Sequence, residues 1–207
     1  MRYSHITPET LADFITRLDA AFGRPGSLYL IGETTQVFEG WRRWTTQIEF
    51  TAEVAPQDRE HFSRVVRVLR EQTGVRVFDE SPGDVVPLPD GYETRARPAG
   101  MGERPIGGTF VGDGTLDHLK LFHFDPYSVA FRFIARGDEP DYHLVLTFLE
   151  QGWVTVAEMN AKLEELLPRF TAESIQQDPA EFRRKCKGLL QMWHSGRPRA
   201  THRMTTV

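Results

Sequence analysis

At 207 residues the chain has room for one large domain, or for one domain with a helical appendage. Charged residues make up 26% and hydrophobic residues 40%, the make-up of an ordinary soluble globular protein. The lone cysteine, Cys186, excludes an internal disulfide and a cysteine metal cluster, and it suits a reducing cytoplasm. No apolar run approaches the roughly 18 residues of a membrane span. The start, Met1-Arg2-Tyr3-Ser4-His5, lacks the apolar core of a signal peptide, so neither a membrane nor an export segment is expected. The net charge of -4 hides an asymmetry. From residue 180 onward seven Lys/Arg stand against one acid, whereas the remainder carries 18 against 28. The basic end is a solvated helix with a frayed tail, or a surface for an acidic partner or nucleic acid.

Thr7-Pro8-Glu9 predicts a helix start: a hydroxyl cap, proline in the first turn and an acid at the positive dipole end. Leu11, Phe14, Ile15, Leu18 and Phe22 follow at helical spacing, and Gly23 with Pro25-Gly26 ends the run. Leu28 to Ile31 reads as a short strand stopped by Gly32, Thr34 to Glu39 as a helix, and Trp44 to Val54 as a second strand. Pro56 to Gln72 is amphipathic, with Phe62, Val65, Val66 and Leu69 facing inward, and Gly74 closes it before a strand at Val75 to Phe78. Ser81 to Gly114 is rich in Gly and Pro and predicts turns and short strands, with Met101 to Pro105 the loosest part.

Leu119 to Phe124 alternates as a further strand, and Asp125-Pro126 caps a helix running to about Ala135. Arg136 to Asp141 reads as a turn with a local Arg136–Asp141 ion pair. Helices then follow at Tyr142 to Glu150, from Thr155 through Leu167, and at Pro179 to Trp193. The fold class is α+β: a mixed β-sheet flanked by helices and followed by C-terminal helices. The expected division is an α/β core over 1–125, a helical region over 126–194 and a basic flexible tail over 195–207.

Three blocks carry a family resemblance. Leu28-Tyr29-Leu30-Ile31-Gly32-Glu33-Thr34 is followed by Gly40, Arg43, Thr45, Gln47, Ile48 and Glu49. Leu88-Pro89-Asp90-Gly91-Tyr92-Glu93-Thr94-Arg95 forms the second block. Asp125-Pro126-Tyr127, Arg136-Gly137 and Asp141 form the third. In this order they resemble the nucleotidyltransferase superfamily, and within it the bacterial group related to the toxin partners of AbiEii type. That group reads Gly-Gly at the first turn and Asp-Ile-Asp on the second strand. The resemblance covers roughly residues 8 to 165. It implies a nucleotidyltransferase-like core, Mg2+ as cofactor if the protein is active, and a nucleotide, RNA or same-operon protein as partner. A homodimer is the alternative assembly.

The resemblance assigns Gly32, Thr34, Arg43, Thr45 and Arg132 to nucleotide binding. It places Gln47 and Glu49 at the family's catalytic Asp pair; Glu33, at the family's second glycine, is the third catalytic candidate, and a rebuilt metal set would take Glu49, Glu33 and, from the end of the following strand, Asp79. The departures fall on those positions. Gln47 offers Mg2+ only a neutral carbonyl oxygen, where the ion prefers charged oxygens in a tight octahedron. Glu49 keeps its charge but moves it out by about an ångström or more. Glu33 puts a negative charge where a glycine lets backbone approach phosphate. The family's lysine falls on Phe133, beside Arg132. Gln47 and Glu49 are co-facial as alternate residues of one strand. Three readings stay open: a relic metal site on a non-catalytic protein, a working site rebuilt from Glu33, Glu49 and Asp79, or an ordinary polar strand face.

Arg42 and Arg43, near Trp41 and Trp44, grip phosphate or merely cover a strand edge. His118, His123 and His143 have no metal-ligand spacing. Cys186 lies between Lys185 and Lys187, which would favour a thiolate, but with no histidine partner evident it reads as a buried or idle thiol.

Overall fold

The computed structural model of the protein describes residues 5–100, 116–173 and 177–196. Its first helix, α1 (Pro8–Phe22), begins where the sequence signals it. Thr7 accepts from the Thr10 amide, and Gly23 closes the helix in the left-handed region at φ 61°. The strands are β1 (Gly26–Leu30), β2 (Ile48–Val54), β3 (Val77–Asp79), β4 (Arg97–Pro98) and β5 (Leu119–His123). They form one mixed sheet in the order β3-β2-β1-β5-β4. Central β1 runs antiparallel to β2 and parallel to β5. The outer strands β3 and β4 pair parallel with β2 and antiparallel with β5 respectively.

Strand alternation sorts the side chains onto two faces. Leu28, Leu30, Ile48, Phe50, Ala52, Leu119 and Leu121 enter one apolar core with α1 and α3 (Arg59–Thr73). Asp19, buried on α1, fastens the start of β5 by accepting from the Asp117, His118 and Leu119 amides. Tyr29, Glu49, Thr51 and Glu53 belong to the opposite face. A second core is built there from α4 (Pro126–Arg136), α5 (Glu139–Glu150), α6 (Val156–Leu166), α7 (Arg169–Ala172) and α8 (Pro179–Gly196). It takes in Ile31, Val86 and Phe124 from the N-terminal part of the chain. The helices after residue 126 therefore share a core with the sheet domain. The α+β class, with a mixed sheet flanked by helices, is as expected from the sequence.

Several element boundaries differ from expectation, each for an identifiable reason. The second strand starts at Ile48, because Thr45 pairs instead with Ile6 in an isolated antiparallel bridge. The expected helix at Pro56 opens as a 3-10 turn, and α3 proper begins at Arg59. The turn after α4 is only Gly137-Asp138, since Glu139-Pro140 already belongs to α5, where proline suits the first turn. Cys186 is buried, and burial pushes its thiol up to about 12, so it is no thiolate. Lys185 is turned away, donating to the Ala135 carbonyl. The stretch at Met101 to Pro105 lies outside the described residues, as does the tail apart from Ser195 and Gly196, which end α8. Among the described residues no helix is long and apolar enough to cross a membrane.

Candidate functional site

The turn from β1 into α2 (Gly32–Phe38) is hooked onto β2. Ile31 donates to the Glu49 carbonyl at 3.1 Å, and the Glu49 amide donates to Thr34 Oγ1 at 2.8 Å. Gly32 takes φ 60°, in the left-handed region. A Cβ added there would lie 2.6 Å from Phe133 Cζ and 2.9 Å from Glu49 Oε2. The glycine is therefore required twice, by backbone conformation and by the ring on top of it. The space over Gly32, which the resemblance assigns to phosphate, is filled by the Phe133 ring.

The acids around this turn are engaged. Glu33 accepts from Thr45 Oγ1 at 2.6 Å with one oxygen and pairs with Arg42 Nη2 at 3.0 Å with the other. Gln47 Nε2 donates to Glu49 Oε1 at 3.0 Å, so Gln47 presents its amide nitrogen, not its carbonyl oxygen, to Glu49. Glu49 is only 4% exposed. Burial pushes its carboxyl above the usual range. The Arg132 and Arg136 charges oppose that rise, and Glu80 and Glu33 reinforce it. Arg132 is itself 3% exposed and donates through Nη2 to Glu80, while its Nε and Nη1 make no hydrogen bond among the described residues.

The structure brings Glu33, Thr45, Gln47 and Glu49 together, with Thr34 buried beneath them. It keeps Asp79 and Arg43 apart. In the β2–β3 register Glu49 lies opposite Phe78, and Asp79 lies opposite Phe50. Asp79 accepts from the Ala52 amide at 3.0 Å and pairs with Arg59 at 3.1 Å. Arg43 is exposed. Among the described residues no cluster of three or more His, Cys, Asp or Glu side chains is placed to hold a metal ion. Glu49 beside an amide that points its nitrogen inward, with the cleft's other buried acid, Asp141, paired to Arg136, does not fit an octahedral Mg2+ site. What remains open is a cavity of about 200 Å3 edged by Glu33, Gln47, Glu49, Phe133, Arg136 and Asp141. Arg136 and Asp141 form the expected ion pair at 3.3 Å.

The neighbouring aromatic and histidine groups serve packing. Trp41 packs edge-on against Trp153 at 4.7 Å, and Trp44 stacks on His5 at 3.9 Å. His123 is buried between Thr35 Oγ1 at 3.3 Å and the Glu39 carboxylate at 2.8 Å. The sequence reading missed the Glu80–Arg132 pair, whose members lie 52 positions apart with no local pattern to join them. It also missed the joining of the second and third blocks. Arg95 Nε and Nη2 reach the two oxygens of Asp125 at 2.8 and 2.9 Å. Asp125 in turn caps α4 by accepting from the Tyr127 and Ser128 amides.

Glu49→Gln tests the electrostatics of this cleft. The folded pKa of Glu49 lies above its unfolded value, so the folded state holds the proton more tightly. Glu49 therefore costs the wild type stability as pH rises from the ordinary carboxyl range through its raised folded value. The glutamine variant escapes that cost. Melting curves across the acidic-to-neutral range should show equal stability at low pH and a variant advantage of a few degrees at neutral pH, about 2–4 °C per kcal/mol. An advantage that grows on acidification would contradict this account.

No known protein family, no curated protein and no solved structure matches this chain.

Proposed function

We propose that this protein is a nucleotidyltransferase-like binding protein that does not carry out metal-dependent nucleotidyl transfer. The carrying observation is that the Phe133 ring lies over Gly32, in the place where the resemblance would put a triphosphate. Three further features support the reading. Glu33 is neutralised by Arg42, Gln47 donates to Glu49, and Asp79 is committed to Arg59. The remaining cavity, about 200 Å3, is smaller than the roughly 300–1,000 Å3 usual for small-molecule sites. With Glu33 paired to Arg42 and Asp141 to Arg136, Glu49 and Asp138 remain as the acids of its lining, and no lining cation is left free for a nucleotide or RNA phosphate.

The partner this charge balance favours is a protein presenting a basic group. The proposed source of such a partner is the same toxin–antitoxin or defence operon, and a cytoplasmic location suits the single buried thiol.

The test is incubation with labelled nucleoside triphosphates, Mg2+ and Mn2+, in the presence of tRNA and of the proteins encoded by adjacent genes. The expected results are no transfer of label and co-purification of one neighbour's product. Metal-dependent labelling that disappears in Glu49→Ala would overturn the proposal in favour of a working site rebuilt around Glu33 and Glu49.

A further inference from the structure

A cavity larger than the Glu49 cleft lies elsewhere on the same sheet face. It encloses about 510 Å3, within the range of ligand sites, and shares no lining residue with the Glu49 cleft. Its floor is Tyr29, Thr51 and Glu53, brought together because Tyr29 lies opposite Thr51 in the β1–β2 register. The segment following β3 roofs it with Leu88, Tyr92 and Glu93, and Phe124 closes one side. Three of these walls are aromatic and mutually braced. Tyr29 meets Phe124 edge-on at 6.0 Å, and Tyr92 stacks on Phe124 at 5.9 Å.

The charges here are of one sign. Arg59 reaches the rim but is held by Asp79 at 3.1 Å and by the Ala52 carbonyl at 2.7 Å. Asp125, also at the edge, is neutralised by Arg95. Glu53 and Glu93 are left as the uncompensated carboxylates. Glu53 accepts from the Tyr29 hydroxyl at 2.8 Å through one oxygen, which aims the carboxylate along the aromatic floor. Both acids act on Tyr92, and with burial they raise its pKa, so both bear on the same wall. Such a chamber repels phosphates and carboxylates. It attracts a cation through carboxylate hydrogen bonds and through ring faces.

We propose that this cavity binds an organic cation with a flat apolar body, an arylalkylamine or arylamidine, its charged end at Glu53 and Glu93 and its ring among Tyr29, Tyr92 and Phe124. The site is separate from the Glu49 cleft and does not rest on the reading given for that cleft.

The test is titration calorimetry on the full chain with tryptamine and benzamidine as probes. Tryptophol serves as the neutral isostere of tryptamine, and indole-3-propionate as the anion. Tryptamine should bind, tryptophol roughly tenfold more weakly, and the anion not at all. Glu53→Gln and Glu93→Gln should each weaken tryptamine by roughly tenfold and together abolish it, while Glu150→Gln, a remote exposed acid, leaves it unchanged. Glu53 and Glu93 are both exposed, so neither glutamine variant should disturb folding and each reports on binding. No binding of either cation at millimolar concentration, equal binding of tryptophol, or indifference to both glutamine variants would overturn the proposal. Each of those results leaves the transfer assay at the other cleft to stand or fall separately.

Discussion

Replacing Arg95 by methionine should lower the melting temperature by on the order of 10 °C. The Asp125 side chain is fully buried, and the Arg95 guanidinium meets both its oxygens. Removing the cation leaves an uncompensated buried carboxylate, a loss of about 3–5 kcal/mol. Arg95 also donates to the Asp90 and Pro89 carbonyls, so the segment that roofs the larger cavity loses its anchor as well. Asp125→Asn should cost less. Its amide oxygen can still cap α4, and the partly exposed guanidinium can be hydrated. The double variant should be clearly more stable than the sum of the two losses predicts, because no charge is then stranded. Denaturant melts of the four proteins decide this, and strict additivity would show that the two groups do not act as a pair.

The second large effect concerns the seal over the Glu49 cleft. Gly32→Ala should destabilise by about 2–4 kcal/mol, from left-handed backbone strain and from the contact with Phe133. Phe133→Leu alone should cost about 1 kcal/mol, as a near-conservative core swap. In the double variant the clash is relieved while the backbone strain stays. The alanine should then cost about 1 kcal/mol or more less than it does in the wild type. If the cost of Gly32→Ala is the same with either residue at 133, the ring does not rest on the glycine, and the carrying observation for the proposed function is lost.

Much of the architecture was legible because it is written locally. The Thr7-Pro8 and Asp125-Pro126 starts, and the Gly23, Gly74 and Gly137 stops, act within one turn of chain, and each appears where its chemistry places it. Strand alternation over Ile48 to Val54 likewise put Glu49 on the face away from the first core. One misplaced boundary falls where a distant partner intervenes: Ile6 claims Thr45 and leaves Trp44 to Gln47 outside the strand. Cys186, expected as a buried or idle thiol, is buried by α8, which also turns Lys185 toward α4.

The candidate site divides in the same way. The changed residue types at Glu33, Gln47, Glu49 and Phe133 were plain in the chain, and they carried the expectation of altered chemistry. What became of each depended on partners far off in sequence. Phe133 covers Gly32 only because α4 crosses that turn, and Arg132 reaches Glu80 across 52 positions. Asp79 turns to Arg59, since the β2–β3 register sets it opposite Phe50. The aromatic, acidic cavity left no trace in any local pattern, because its floor comes from β1 and β2, its roof from the segment after β3 and its side wall from the end of β5. Caps, turns and periodicity depend on neighbours within a few residues and are therefore readable from order alone. Burial, charge pairing and cavities depend on which surfaces meet, and that follows from packing the whole chain.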